Sequence, residues 1–383
     1  MNKKIICGSF ALAGLFTFAQ AAEFDLYGHF GAAGQKNTNY NDSDYAGASA
    51  SIGFNVFFTN GISIGLGGWA AIPIYENVKN NADQIYKDIF VLSDAYFAYN
   101  GDIFNIALGR YDTNNMGYDW FSGHNQGVSL GFNIGNFLSI WGLYSHQQAF
   151  QFQRFNRETS SQINALWNYK GHYGYYKTNE GGGLKSNKEH FAAAGVDVKI
   201  GEVFRITPYV YFVTNNLTAP GGTAKLTLGR HNDLYSDTTL KYTHVSQVGA
   251  PDGHLLLADQ EFGYSWFRIG GGYYKTIDAG AGRLTDFGDD SRFYGGIVEA
   301  NVNNRASGGY YGYDQSTWYV FTGARHEMFK FDLLYANGGY KEFSALLSIT
   351  LFKHLDFGAG YVDLANIENN RRNYVTGFVK AIW

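Results

Sequence analysis

Between Phe204 and Phe212 the chain reads FRITPYVYF, and its side chains change character at every step. Phe204, Ile206, Val210 and Phe212 share one parity; Arg205, Thr207, Tyr209 and Tyr211 share the other. A period of two is the mark of a β-strand, whose successive side chains point to opposite faces. The pattern recurs along the chain. Phe24, Leu26 and Phe30 oppose Asp25, Tyr27 and His29. Ala46, Ala48, Ala50, Ile52, Phe54 and Val56 oppose Ser49, Ser51 and Asn55, and Leu355, Phe357, Ala359 and Tyr361 oppose Asp356. At the end of the chain, Val375, Val379, Ala381 and Trp383 oppose Tyr374, Thr376 and Lys380. After residue 25 no stretch approaches the ~18 continuous apolar residues of a membrane helix.

Such strands have two chemically different faces, and the medium on each side decides the fold. In a sandwich the apolar face fills a core against a second sheet. In a transmembrane barrel it meets lipid, while the polar face lines enclosed water. Composition alone, with 49 Gly, 4 Pro, 30 Tyr, 31 Phe and 16% charged residues, suits either this barrel or a large secreted all-β protein. Three features favour the barrel. The polar faces are rich in Gly, Ser and Asn, aromatics gather near segment ends as a girdle would, and the connections alternate in length. TNG (59–61), NGD (100–102), GN (135–136), GE (201–202) and KH (353–354) are tight turns, whereas GQKNTNYNDSD, YENVKNNADQ, DTNNMGYDWFSGHN, a run over about 147–189 and ANIENNRRN are long and polar. Segments of about ten residues, tilted by roughly 40°, span the ~25 Å apolar band. The expected fold is an all-β, antiparallel, up-and-down transmembrane barrel with short periplasmic turns and long external loops. It has eighteen strands if the weak segments near 223–230 and 238–248 are real, and sixteen if they form one loop. Barrels of this size enclose an aqueous channel.

The first residues, MNKKIICGSFALAGLFTFAQAAEF, carry Lys3 and Lys4, an apolar run from Ile5 to Ala19, and Ala19-Gln20-Ala21 as a cleavage site. They are expected to be a secretory signal over residues 1–21, leaving 22–383 as a single barrel domain. Cys7, the only cysteine, leaves with it, so disulfide chemistry is not expected. Loss of Lys3 and Lys4 leaves 27 basic against 33 acidic residues, a balance that argues against nucleic acid as a partner.

LSDAYFAYNGDIFNIALGRYD (92–112), the following FSGHNQGVSL, LADQEFGYSWFRIGGGYYKT (257–276) and the terminal strand resemble the bacterial outer-membrane porins related to porin D. The resemblance is scattered over most of the chain. It implies eighteen strands, external loops folded inward, a track of basic residues on the wall, and passage of small, often carboxylate-bearing solutes. By the same resemblance, Val375, Val379, Ala381 and Trp383 match the terminal signal that the barrel-insertion machinery reads, and Arg110 matches a GR at a loop entrance.

No bond chemistry is expected of such a chain. The residues of interest are those that set pore radius and field. The loop from Asp112 to Asn125 is the candidate constriction, with Asp112, Asp119, Trp120, Phe121 and His124, and with Arg110 at its entrance. By parity Arg205, Arg268, Lys330 and Lys380 point inward, since an outward Arg or Lys at the bilayer midplane costs roughly 2–4 kcal/mol. Asp332, Asp356, Glu261, Tyr209 and Tyr211 share their side. His124, His231, His244 and His254 lack metal-ligand spacing and read as rim or surface histidines, so no cofactor or metal is expected. DFGDDSR (286–292) could hold a cation in an external loop, but it lacks the ligand spacing of calcium loops and reads as a solvated acidic loop. Two functions remain: passive diffusion of small hydrophilic solutes across the lipid bilayer, or an adhesin-like structural barrel with ligand-binding external loops. Monomer and homotrimer both stay open.

Overall fold

The computed structural model describes residues 22–38, 44–77, 89–113, 116, 118–121, 123–149, 174–178, 184–187, 189–248, 251–288, 291–294, 309–365 and 371–383. The expected signal, 1–21, lies outside them. The first strands are β1 (Ala22–Asn37), β2 (Tyr45–Phe58), β3 (Ile62–Glu76), β4 (Ile89–Asn100), β5 (Phe104–Asp112), β6 (His124–Ile134) and β7 (Leu138–Ala149). A separate two-stranded sheet, β8 (Gly174–Thr178) and β9 (Leu184–Asn187), comes next. The main sheet resumes with β10 (Phe191–Ile200), β11 (Phe204–Val213), β12 (Leu217–Gly229), β13 (Leu234–Gln247), β14 (Gly253–Tyr264) and β15 (Phe267–Asp278). It ends with β16 (Ser316–His326), β17 (Phe329–Gly338), β18 (Lys341–Leu351), β19 (Leu355–Ala365) and β20 (Arg371–Ile382).

These eighteen strands form one antiparallel sheet that closes on itself. β7 pairs with β10, and β1 pairs with β20 from His29↔Ile382 to Asn37↔Tyr374. At the seam, Gly28 and Trp383 exchange two backbone hydrogen bonds of 3.2 Å. Closure leaves no edge with unpaired N–H and C=O groups, the condition a sheet must meet in hydrocarbon. Among the described residues the other sheet is only the two-stranded β8–β9 pair, so the sandwich alternative falls. The two weak segments are real strands, which sets the count at eighteen. The weak pattern has a cause in β12, where Pro220 is followed by Gly221 and Gly222, and the ladder to β13 passes from Thr218↔Ser246 to Gly221↔Thr243 without pairing Ala219 or Pro220. Proline has no N–H to give to a ladder.

The two faces separate as the alternation requires. Phe30 and Ile52 are each 61% exposed on the outer wall, whereas Ser49 and Ser51, between them in the fold, are buried within. In β11, Ile206, Val210 and Phe212 face out, while Thr207, Tyr209 and Tyr211 are buried inside. Tight turns join β2 to β3, β4 to β5, β6 to β7 and β10 to β11 at one rim, where Ala22 also lies opposite Phe58. At Gly61 in the first of these, φ is +84° and an added Cβ would stand 2.4 Å from the Asn100 carbonyl oxygen. The opposite rim is mixed. It carries the long connections, but residues 214–216 and 339–340 also turn tightly there, the first through Asn215 at φ 54°. Asparagine tolerates that left-handed conformation, so a short reversal fits at either rim.

Candidate functional site

Among the described residues, two stretches of chain leave the wall at the long-loop rim and enter the interior of the barrel. The first joins β5 to β6. Its neck is closed by Thr113, whose backbone N–H and hydroxyl both donate to the Gly123 carbonyl, at 2.9 and 2.7 Å. Beyond the neck Trp120 and Phe121 are fully buried. The Trp120 indole N–H donates to the Tyr209 hydroxyl at 2.9 Å, and the Tyr211 hydroxyl accepts its backbone N–H at 3.0 Å. Phe121 packs on Phe191, with ring centroids 4.7 Å apart. Asp119 accepts a hydrogen bond from Thr223 at 3.3 Å and an ion pair from Lys241 at 3.2 Å, and that ammonium lies 4.1 Å from the Trp120 ring centre. Burying a large aromatic stabilises by about 1.5–3 kcal/mol, so two aromatics and a desolvated ion pair hold this segment against the inner wall.

The second stretch joins β15 to β16. Ala281 donates to the Tyr311 carbonyl at 2.9 Å, and a 3-10 turn over Gly282–Phe287 buries Leu284 and Phe287. Phe287 packs on Phe191 with tilted rings 5.1 Å apart, and its carbonyl accepts from the Gln148 side chain at 3.1 Å. Arg292 then forks onto both Asp259 oxygens at 2.8 and 2.7 Å and reaches Glu261 at 2.7 Å, its guanidinium 3.7 Å from the Phe321 ring centre. Burial opposes its charge, but the two carboxylates outweigh burial and raise its pKa. Arg268 pairs with Glu261 at 3.5 Å and with Asp332, whose other oxygen takes the Tyr294 hydroxyl at 2.9 Å. The Tyr294 backbone N–H binds Glu342 at 3.0 Å. Trp120 and Tyr311, with ring centres 6.1 Å apart, bring the two stretches together.

The part of DFGDDSR that is described is therefore no solvated loop. Phe287 and Arg292 are anchored in the interior, while residues 289 and 290 lie outside the described set. A signal existed in the sequence: an arginine followed by Phe293 and Tyr294 is unusual company for a solvated acidic loop.

Beside the inward stretches a cavity of about 920 Å³ remains, bounded chiefly by β1 to β7 and the end of β20. Its charged and titratable lining includes Asp25, His29, Asp94, Asp112, His124, Asp197 and Lys380. His124 approaches Asp94 at 3.5 Å. His29 is held by Ser51 at 2.7 Å and lies edge-on to Trp69.

The singled-out residues divide among several settings. Lys380 lines the cavity and faces Asp356 across the β19–β20 ladder. Asp112 and His124 pair in register at the two roots of the first stretch and also line it. Tyr209 and Tyr211 lie beneath Trp120. Arg268, Glu261 and Asp332 are joined in the ion-pair cluster under the second stretch. Arg205 pairs with Asp197 at 2.7 Å, and Lys330 reaches the Thr350 hydroxyl at 3.3 Å. Arg110 is a correction. It belongs to β5, whose ladders run unbroken to Arg110 on one side and through it on the other, so it shares the outward parity of Leu108. Its guanidinium donates to Gln126 at 2.8 Å and to the Leu92 carbonyl at 2.9 Å. Val375 and Val379 face outward, Ala381 shares their parity, and Trp383 is half exposed against Gly28.

The fold has solved counterparts. Acinetobacter baumannii OccAB4 superposes with a TM-score of 0.70 at 12% identity, covering 95% of this chain and 99% of its own. Pseudomonas aeruginosa OccK2 (OpdF) gives 0.66 at 12% identity over 95% and 98%. The P. aeruginosa outer membrane protein OpdK gives 0.66 at 10% identity over 94% and 99%. These are porins of the OprD/Occ family, in line with the resemblance to porin D. At such identities they establish the shared eighteen-stranded fold alone. A search of curated proteins finds no match. A family model matches residues 55–338, most of the barrel. The chain belongs to the family described as "Putative outer membrane protein", and the outer membrane is its location.

Proposed function

We propose that this protein is a diffusion channel for small hydrophilic solutes. The observation that supports it most is a closed eighteen-stranded wall, apolar outside, enclosing a cavity of about 920 Å³ lined by polar and charged side chains. The two inward stretches narrow that space from the side of β10 to β19, and Trp120, Phe121, Phe287 and Arg292 are their anchors. Reconstitution of purified protein in a planar bilayer tests this reading. Stepwise ohmic currents are expected; a folded protein that conducts nothing favours the adhesin-like alternative.

Charge selectivity follows from what lines the cavity. A preference for carboxylate-bearing solutes has one support among the structural neighbours, the OpdK structure with vanillate. The lining of this chain pulls the other way, because Asp25, Asp94, Asp112 and Asp197 face Lys380 and two histidines. Rings of one charge sign select by sign. The channel is read as favouring cations and neutral solutes over anions. A reversal potential under a salt gradient decides: a cation-selective sign supports the acidic lining, and an anion-selective sign restores the carboxylate reading.

A further inference from the structure

Two side-chain groups on the outer wall, both at the long-loop rim, repeat one arrangement. On β13, Tyr242 and His244 point outward, and His254 on β14 is the in-register partner of His244. The Nδ1 atoms of the two histidines are 3.3 Å apart, and the Tyr242 hydroxyl is 3.1 Å from Nδ1 of His254. On β7, Tyr144 and His146 have the same spacing and face, and His190 stands just before β10. There the Nδ1 atoms are 3.2 Å apart, and the Tyr144 hydroxyl is 3.0 Å from Nδ1 of His190. In each group an ascending strand supplies Tyr-x-His, and the descending strand beside it supplies the second imidazole.

We propose that each Tyr–His–His group is an open, two-imidazole site for a zinc ion. Zinc binds imidazole nitrogen at ~2.0–2.1 Å in tetrahedral geometry, so two histidines sharing one ion place their ligating nitrogens roughly 3.3–3.4 Å apart. Both pairs present nearly that edge. Behind His244, the Asp252 carboxylate stands 3.7 Å from Nε2. It lies on the ring edge away from His254, where an outer-shell carboxylate would stand. A carboxylate behind a ligating histidine sets its tautomer and strengthens it as a ligand. The tyrosine hydroxyl, beside one of the two nitrogens, is positioned to hydrogen-bond a metal-bound water. No group of three or more His, Cys, Asp or Glu assembles among the described residues, so neither site is closed. Water completes the coordination, and the ion stays in exchange with the exterior.

Sequence spacing hides these sites. The histidines of one pair are 10 residues apart and those of the other 44, far from the short spacings of zinc-binding loops. Only antiparallel register brings them together. Each site also bridges two strands where a connection leaves the wall, so a bound ion would staple β13 to β14 and β7 to β10.

Equilibrium dialysis of untagged, refolded protein against zinc tests the proposal. Two ions per chain are expected for the wild type, one for His254→Gln, and none for the double variant His190→Gln/His254→Gln. Because these side chains lie on the outer rim, the variants should keep the heat-dependent electrophoretic shift of a folded barrel, which certifies each sample. Zinc should also leave as pH falls, since only neutral imidazole ligates. A wild type that retains no zinc overturns the inference, as does a folded double variant that still holds both ions. Neither result bears on conductance, which is measured separately.

Discussion

Trp120, on the stretch between β5 and β6, donates its indole N–H to the hydroxyl of Tyr209 on β11, 89 residues further along the chain. That bond, 2.9 Å long, ties an inward stretch to a wall strand it does not adjoin. Tyr209 in turn exchanges a 2.7 Å hydrogen bond with Thr243 on β13, so the anchor reaches two strands deep into the wall.

Trp120→Ala should therefore widen the channel without unfolding it. A large-to-small change at a buried aromatic costs about 3–5 kcal/mol, but here that loss falls on the docking of one segment rather than on the ladders. Single-channel conductance should rise, and Trp120→Phe, which keeps most of the packing, should change it less. An unaltered conductance in Trp120→Ala would remove this stretch from the constriction.

Arg292 is the corresponding anchor of the second stretch. Removing one partner of a buried ion pair costs roughly 3–5 kcal/mol, because the other charge is left unpaired. Arg292→Ala should free the 279–315 connection, seen as faster protease nicking between those residues. It should also make the channel more cation-selective, since Asp259 and Glu261 lose their main counter-charge. Nicking at the wild-type rate would mean that Leu284 and Phe287 hold the segment unaided.

Leu240 and Lys241 are adjacent in β13 and face opposite media. Leu240 is 53% exposed on the outer wall, whereas Lys241 is buried against Asp119. Leu240→Arg should destabilise the barrel by roughly 2–4 kcal/mol if the residue lies near the bilayer midplane. Lys241→Met should leave the lipid-facing stability nearly unchanged and loosen the first stretch instead. Urea titration in lipid vesicles distinguishes them; equal destabilisation by both variants would contradict the separation of faces.

Trp383→Ala bears on assembly. The seam hydrogen bonds between Gly28 and residue 383 use backbone atoms and survive the change. Refolding into vesicles should accordingly be almost normal, while the amount reaching the outer membrane of living cells should fall. Full cellular assembly of the variant would show that the machinery does not read this aromatic.

Much of this architecture was legible in one dimension. Ile206 and Val210 outside, with Thr207 and Tyr209 inside, follow from a pleat that alternates faces and two media that reward opposite chemistries. Those causes are local, so they show along most of the wall and fade where Pro220 and the glycines after it blur β12. Arg110 misled because a resemblance placed it at a loop entrance, whereas β5 runs on through it with the parity of Leu108.

What the sequence determined by itself was the wall: its strands, their faces and the kind of solvent each face meets. The register of closure at Gly28 and Trp383, the wall partners that Trp120 finds, the inward course of Arg292, and the meeting of His244 with His254 were decided only in three dimensions. Each depends on contacts between residues far apart in the chain, set by ladder register and by the path of segments that lack a repeating pattern. Periodicity reports the environment of a residue; it carries no information about which distant partner shares that environment.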